Sequence, residues 1–238
     1  MKFSHKLVNA GVKGITRTLC RIDPAQFEAI PMDGPLICIE NHINAMEAPI
    51  IVTQFLPRRI RAVSKVETWD NSFYRFLFNT WGGIPLRMGE ADLNAFAAMK
   101  AALESGEIVG LAPEGTRSHD GKLQKGYPGT VLLAVRSGAP IMPIAHYGIE
   151  EFWQNLKRLK RTDFNIVVGN PFKINTHGEA MSRPVREQMA AEMMYQLAAL
   201  LPPEYRGLYA DFRKATSKYL QFENEADNNL LRVKDSLE

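Results

Sequence analysis

The chain has 238 residues and a formal net charge of +3, with 45% hydrophobic and 23% charged residues. These ordinary globular values exclude disorder over most of the chain, and the length fits one α/β domain with a well-buried core. The two cysteines, Cys20 and Cys38, form no CxxC pair and no Cys/His cluster, which argues against a disulfide framework or a zinc site and fits a reducing compartment.

The first predicted element is an amphipathic helix over residues 3–22. Apolar residues recur at helical spacing within one half of the helix: Phe3, Leu7, Val8, Val12, Ile15, Leu19 and Ile22. Basic residues fall on the other side: Lys2, Lys6, Lys13, Arg17 and Arg21. Such a helix either lies at a membrane interface or covers the domain core with a solvated basic face, and an organellar transit peptide is a third possibility.

Apolar runs then alternate with helical patterns along most of the chain. We predict strands over residues 35–39, 60–64, 84–87, 107–112, 141–145 and 164–168, and helices over 49–56, 69–81, 92–103, 128–135 and 183–201. This alternation predicts an α/β fold with a mostly parallel central sheet flanked by helices. We therefore expect an interface helix over 1–22, the main domain over 23–204, and a polar C-terminal helix and tail over 205–238.

A histidine and a carboxylate follow the first main strand, in the run Asn41-His42-Ile-Asn-Ala-Met-Glu47. Parallel α/β sheets place their sites beyond the carboxyl ends of strands. An imidazole can take a proton from a hydroxyl near neutral pH, and a carboxylate can hold its second nitrogen. His42 and Glu47 can meet if His42 lies in the turn and Glu47 in the first helical turn. By itself this pair equally describes a loop histidine and a first-turn acid.

A second cluster, Pro113-Glu114-Gly115-Thr116-Arg117-Ser118, follows the strand at 107–112. A glycine-centred loop of this kind offers backbone N–H groups, a hydroxyl and a guanidinium, and arginine binds phosphate in a bidentate manner. A plain turn with a solvated arginine is the alternative.

Together these segments resemble the glycerolipid (1-acylglycerol-3-phosphate type) acyltransferase family. His42 and Glu47 stand where the family has NHxxxxD, and residues 114–118 match its EGTR block. The run WGGIPLRMG at 81–89 resembles the middle block, and APIMPIA at 139–145 resembles the closing strand, so the resemblance covers residues 35–150. In the middle block the phosphate-binding arginine of the family aligns with Met88. Arg87 lies one residue earlier and can serve only if the strand ends or bulges there.

The resemblance implies direct transfer of a fatty acyl group to a lipid hydroxyl, with His42 as general base and Glu47 orienting it. It implies acyl-CoA or acyl carrier protein as donor, a lysophospholipid-type acceptor, no metal or organic cofactor, and no nucleic-acid partner. Arg87, Glu114, Gly115, Thr116, Arg117 and Ser118 are the expected substrate-binding residues. A lipid hydrolase and an inactive lipid-binding relative remain as alternatives.

A membrane surface is the expected location. The longest stretch without a formal charge has 13 residues, at 137–149, whereas a spanning helix needs about 20 apolar residues. The basic helix at 3–22 is accompanied by an aromatic stretch at 73–81 and by a mixed apolar and basic stretch at 152–161. Apolar and basic residues side by side suit an anionic lipid surface. We therefore expect a cytoplasmic protein that is peripheral on the inner face of a membrane.

Overall fold

The computed structural model describes residues 3–236, with side chains described from residue 5 to residue 233. Its centre is a six-stranded sheet in the order β4-β3-β5-β2-β6-β8. The strands are β2 (Leu36–Glu40), β3 (Ile60–Lys65), β4 (Ile84–Leu86), β5 (Ile108–Leu111), β6 (Ile141–Tyr147) and β8 (Asn165–Val168). All neighbours pair in parallel except β8, which is antiparallel to β6. The predicted fold class is confirmed.

Helices cover both faces of this sheet, so strand residues alternate between two apolar clusters. Ile37 and Ile39 of β2 face the cluster that contains α4 (Leu93–Glu104), α5 (Gly129–Ser137) and α7 (Arg183–Ala198). Leu36 and Cys38 face the other cluster, which contains α2 (Glu47–Gln54) and α3 (Ser72–Trp81). This period of two on a sheet buried on both faces explains why β2 reads as a continuous apolar run.

The N-terminal helix α1 (Phe3–Leu19) packs on the same side as α2 and ends three residues earlier than predicted. Cys20–Arg21 forms instead a short strand, β1, parallel to β7 (Thr162–Asp163). A short helix, α6 (Phe152–Lys157), precedes β7. Two of the predicted side chains, Lys2 and Phe3, lie outside the side chains that the structure describes.

The buried side of α1 is rotated relative to the predicted apolar arc. The polar residues Asn9 and Thr16 are buried, whereas Leu7 and Ile15 are 66% and 61% exposed. Asn9 points inward because its Oδ1 accepts a hydrogen bond of 2.7 Å from the buried indole Nε1 of Trp81. The helix thus covers the core with one face and leaves an apolar edge in solvent.

The C-terminal segment differs from the predicted polar helix and tail. Within the described residues it forms short 3₁₀ turns and the strand β10 (Leu220–Gln221), which pairs with β9 (Lys173–Ile174). Aromatic side chains at irregular spacing are buried along it: Tyr209, Phe212, Tyr219 and Phe222. The buried carboxylate of Glu192 on α7 anchors this segment by accepting hydrogen bonds from the backbone of Tyr219 and Lys218. Residues 237 and 238 of the predicted tail lie outside the description.

Candidate active site

His42 lies in the turn between β2 and α2, at the carboxyl edge of the sheet and near its centre. The side chain of Asn41 fixes the start of this turn. Its Nδ2 donates to the His146 carbonyl at 2.8 Å, and its Oδ1 accepts from the His146 backbone N–H at 2.9 Å. These two side-chain bonds tie the residue before His42 to β6, so the position of His42 is set relative to two central strands.

The structure brings the imidazole of His42 and the carboxylate of Glu47 together. Nδ1 of His42 lies 2.7 Å from Oε2 of Glu47. The other carboxylate oxygen, Oε1, accepts hydrogen bonds from the backbone N–H groups of Ile43, at 2.6 Å, and Asn44. Glu47 is the first residue of α2 and is 1% exposed. The carboxylate is therefore held rigidly, and its position at a helix N-terminus favours its negative charge.

Burial, neighbouring charges and the contact with Glu47 together determine which ring nitrogen of His42 can accept a proton. Burial lowers the pKa of His42, Arg117 and Lys65 lower it further, and the carboxylates of Glu40 and Glu114 oppose this. The ring is therefore neutral near pH 7. With Nδ1 directed at Glu47, the Nε2 atom makes no hydrogen bond within the described part of the chain. The His42 side chain is 33% exposed, so this basic nitrogen is open to a substrate.

The Glu114–Ser118 loop follows β5 and is tied to both backbone groups of His42. Oε1 of Glu114 accepts from the His42 N–H at 2.9 Å, and the Ser118 N–H donates to the His42 carbonyl at 2.7 Å. Oε2 of Glu114 accepts from the Gln124 N–H at 2.7 Å. Burial raises the pKa of Glu114 to about 7. Glu114 and Ser118 are buried, and the Glu114 carboxylate links the turn that carries His42 to the segment at Gln124.

Gly115 has φ +67°, a conformation that glycine adopts without strain. A Cβ atom at this position would lie 2.6 Å from Cε of Met88, so the Met88 side chain covers the loop. Thr116 and Arg117 are exposed at the same loop.

Arg117 and Arg87 differ in how they relate to His42. The charge of Arg117 acts on both His42 and Glu47. The sequence indicated that Arg87 could bind the acceptor phosphate only if the strand ended or bulged at this residue. Strand β4 does end at Leu86. However, the Arg87 side chain is 63% exposed, with Nε 4.0 Å from Oε1 of Glu90. Its backbone N–H donates to Asp92 at 3.0 Å.

The sequence motifs did not include two residues that lie near His42 and Glu47. Lys65, whose charge acts on His42, ends β3, and the rule that sites lie at carboxyl ends of parallel strands could have identified it. His146 lies 3.8 Å from Glu47 but sits inside an apolar strand, where the sequence gives no functional signal. Across the described residues there is no group of three or more His, Cys, Asp or Glu residues that could hold a metal ion.

Comparisons with known proteins point to one family. The model of the family described as Acyltransferase matches residues 21–147. The 1-acyl-sn-glycerol-3-phosphate acyltransferase of Bacillus subtilis is 24% identical over 165 residues, which cover 69% of this chain and 78% of that protein. A Borreliella burgdorferi protein of the same name is 27% identical over 128 residues, covering 53% of this chain and 51% of that protein.

A solved structure has the same fold. The 1-acyl-sn-glycerophosphate acyltransferase PlsC from Thermotoga maritima aligns with a TM-score of 0.58 at 20% identity, covering 79% of this chain and 77% of that one. The family match spans more than half of the chain and includes both the His42–Glu47 pair and the Glu114–Ser118 loop. The chain therefore belongs to the acyltransferase family.

Proposed function

We propose that this acyltransferase moves a fatty acyl group from acyl-CoA or acyl carrier protein onto the hydroxyl of a lysophosphatidic-acid-like or related glycerolipid acceptor. The observation that carries the proposal is the 2.7 Å contact between Nδ1 of His42 and Glu47, which leaves Nε2 free at the carboxyl edge of the sheet. The names of the relatives in Bacillus and Borreliella support a glycerolipid acceptor.

In the proposed reaction, Nε2 of His42 takes the proton of the acceptor hydroxyl as its oxygen attacks the thioester carbonyl. Collapse of the tetrahedral adduct breaks the carbon–sulfur bond, and the leaving thiolate takes the proton back from His42. Glu47 keeps Nδ1 protonated and stabilises the transient imidazolium. General-base assistance of this kind contributes about 10²–10⁴ in rate.

Arg117 is the proposed anion-binding group of the acceptor site. It is exposed, and its charge acts on His42, Glu47 and Tyr74. Arginine holds phosphate oxygens in a bidentate manner. Arg87 makes a weaker candidate because its side chain turns towards Glu90, and Met88 supplies an apolar contact beside Gly115.

We also propose that the protein acts at a membrane surface on the cytoplasmic side. Exposed apolar side chains occur on α1, at Leu7 and Ile15, and on α3, at Phe73 and Phe76. The Asn9–Trp81 bond joins α1 to α3, and Tyr74 of α3 lies within the field of Arg117. Two helices that are bonded to each other thus carry exposed apolar side chains, and one of them, α3, borders the proposed site. Among the described helices none is long and apolar enough to span a membrane.

The test is incubation of purified protein with a labelled acyl thioester, as CoA or carrier-protein ester, and a panel of lysophospholipids, with products identified by mass spectrometry. We expect a new ester on one acceptor, loss of this product in His42→Ala, and retention in the matched control His177→Ala. His177 is an exposed histidine whose ring contacts the Lys218 carbonyl.

Three results would contradict the proposal. Thioester loss without acceptor would indicate a hydrolase, binding without turnover would indicate a lipid-binding protein, and an active, folded His42→Ala variant would remove the mechanism.

A further inference from the structure

His146 is a fully buried histidine that the proposed reaction does not use. It lies near the end of β6 with 0% exposure, and its ring centroid is 5.3 Å from that of Phe164. Neither ring nitrogen makes a hydrogen bond of normal geometry within the described residues. Buried polar atoms are rarely left unpaired because they lose their hydration without compensation, so this ring requires an explanation.

The nearest carboxylate to His146 is that of the catalytic pair. Nε2 of His146 lies 3.8 Å from Oε2 of Glu47, the oxygen that also contacts Nδ1 of His42 at 2.7 Å. Oε1 of Glu47 is already bound by two backbone N–H groups. A carboxylate oxygen can accept two hydrogen bonds, so Oε2 retains one acceptor position near His146.

Two hydrogen bonds fix the backbone of His146 relative to His42. The Asn41 side chain binds both the N–H and the carbonyl of His146, and Asn41 is the residue before His42. A rotation of the imidazole that shortens the 3.8 Å separation by about 1 Å would therefore form a hydrogen bond without moving either strand.

The charge states suit a neutral donor at this position. Burial and the charge of His42 lower the pKa of His146 to about 3, with the backbone of Asn41 acting weakly in the opposite sense. His146 is therefore a neutral imidazole with one N–H group. Burial raises the pKa of Glu47 well above its ordinary value, which works against the ionised form that the reaction needs. A neutral N–H directed at Oε2 favours the ionised carboxylate without adding a charge that would repel the His42 imidazolium.

We propose that His146 is a positioning residue for the reaction, and that its Nε2–H tautomer donates a hydrogen bond to Oε2 of Glu47 when His42 carries the substrate proton. This bond keeps the Glu47 carboxylate ionised and aligned with Nδ1 of His42. The inference rests on the proposed roles of His42 and Glu47.

Other charged groups act on this cluster from every side and must stay constant in a test. They are Glu40 at the end of β2, Lys65 at the end of β3, Glu114 and Arg117 of the loop after β5, and Glu150 after β6. None of them would be altered by a substitution at position 146.

The test compares His146→Phe, which keeps a flat ring without a donor, with His146→Gln, whose amide N–H occupies about the place of Nε2. In His146→Phe we expect kcat to fall about 10-fold, the effect of one hydrogen bond to a charged group, with KM for both substrates unchanged. Without the donor, the Glu47 carboxylate holds the proton of the pair more strongly. The acidic limb of the kcat/KM profile should therefore move to higher pH, and His146→Gln should restore its position.

A readout that does not depend on activity is the tautomer of His146 in the wild-type protein, measured from its imidazole ¹⁵N chemical shifts. We expect the Nε2–H form, and the Nδ1–H form would overturn the proposal even if His146→Phe failed to fold. A folded His146→Phe with wild-type kcat and pH profile would also overturn it. His42→Ala, measured in parallel, separates the two hypotheses: if it is inactive while His146→Phe is normal, only the role of His146 fails.

Discussion

Replacement of Glu47 by glutamine tests the proposed catalytic pair most directly, because the structure dictates how the amide must orient. The backbone N–H groups of Ile43 and Asn44 both point at the Oε1 position, so the amide oxygen has to occupy it. The amide NH₂ then faces Nδ1 of His42, 2.7 Å away in the wild type. Two N–H groups cannot face each other, so His42 must carry its proton on Nε2, where it cannot act as a base.

The expected loss follows from two effects. A hydrogen bond to a charged group is worth about 1.5–3 kcal/mol, or about 10- to 100-fold in rate. The wrong tautomer adds the loss of general-base assistance, about 10²–10⁴ in rate. We therefore expect kcat of Glu47→Gln to fall by about 10³-fold or more, with smaller changes in KM.

The assay is acyl transfer under saturating thioester and acceptor, together with a thermal melt of each variant. Glu47→Asp keeps the carboxylate and should remain active. Glu223→Gln is a matched control, since Glu223 is an exposed carboxylate that is not among the charges acting on His42 or Glu47, and it should behave as wild type. Equal kcat in folded Glu47→Gln and wild type would refute the carboxylate–imidazole mechanism.

Three further predictions concern acceptor binding, membrane binding and pH. Arg117→Ala should raise KM for the acceptor more than Arg87→Ala, because of these two arginines only Arg117 acts on His42 and Glu47 through its charge. Acceptor titrations at fixed thioester measure both KM values. The opposite order would place the anion site at Arg87. The double variant Leu7→Ser, Ile15→Ser should co-sediment less with anionic vesicles. Its melting temperature should not change, since both side chains are exposed. Unchanged sedimentation would place the membrane contact elsewhere. Burial raises the pKa of Glu40 to about 8, above its unfolded value, so folding favours its protonated form. The contribution of Glu40 to the free energy of unfolding should therefore fall by a few kcal/mol as pH rises from 4.5 through 8, at about 1.4 kcal/mol per pKa unit. Glu40→Gln should remove this part of the pH dependence, as measured by chemical denaturation at several pH values, and the part due to Glu114, whose pKa is raised in the same direction, should remain.

The amino-acid sequence is sufficient to predict the fold class and the position of His42 and Glu47 at one edge of the sheet. Both follow from local pattern: apolar runs of strand length alternate with helical periodicity, and the polar motifs stand directly after β2 and β5. Parallel strands bring their carboxyl ends to one edge, so two motifs about 70 residues apart could be expected to meet there. In the structure the two motifs do meet, because the His42 N–H donates a hydrogen bond to Glu114, 72 residues later in the chain.

Which polar side chains turn inward is visible only in the assembled fold. Asn9 is buried on α1 and its Oδ1 accepts a hydrogen bond from the Trp81 indole, on a face of the helix rotated away from the predicted apolar arc. The Glu114 carboxylate accepts a hydrogen bond from the backbone N–H of His42. His146 lies 3.8 Å from Glu47 although it belongs to an apolar strand. Each of these contacts joins residues that are far apart in the chain, at separations that follow no regular spacing. Hydrophobic periodicity therefore cannot predict these contacts, which form only when the sheet and its helices have assembled.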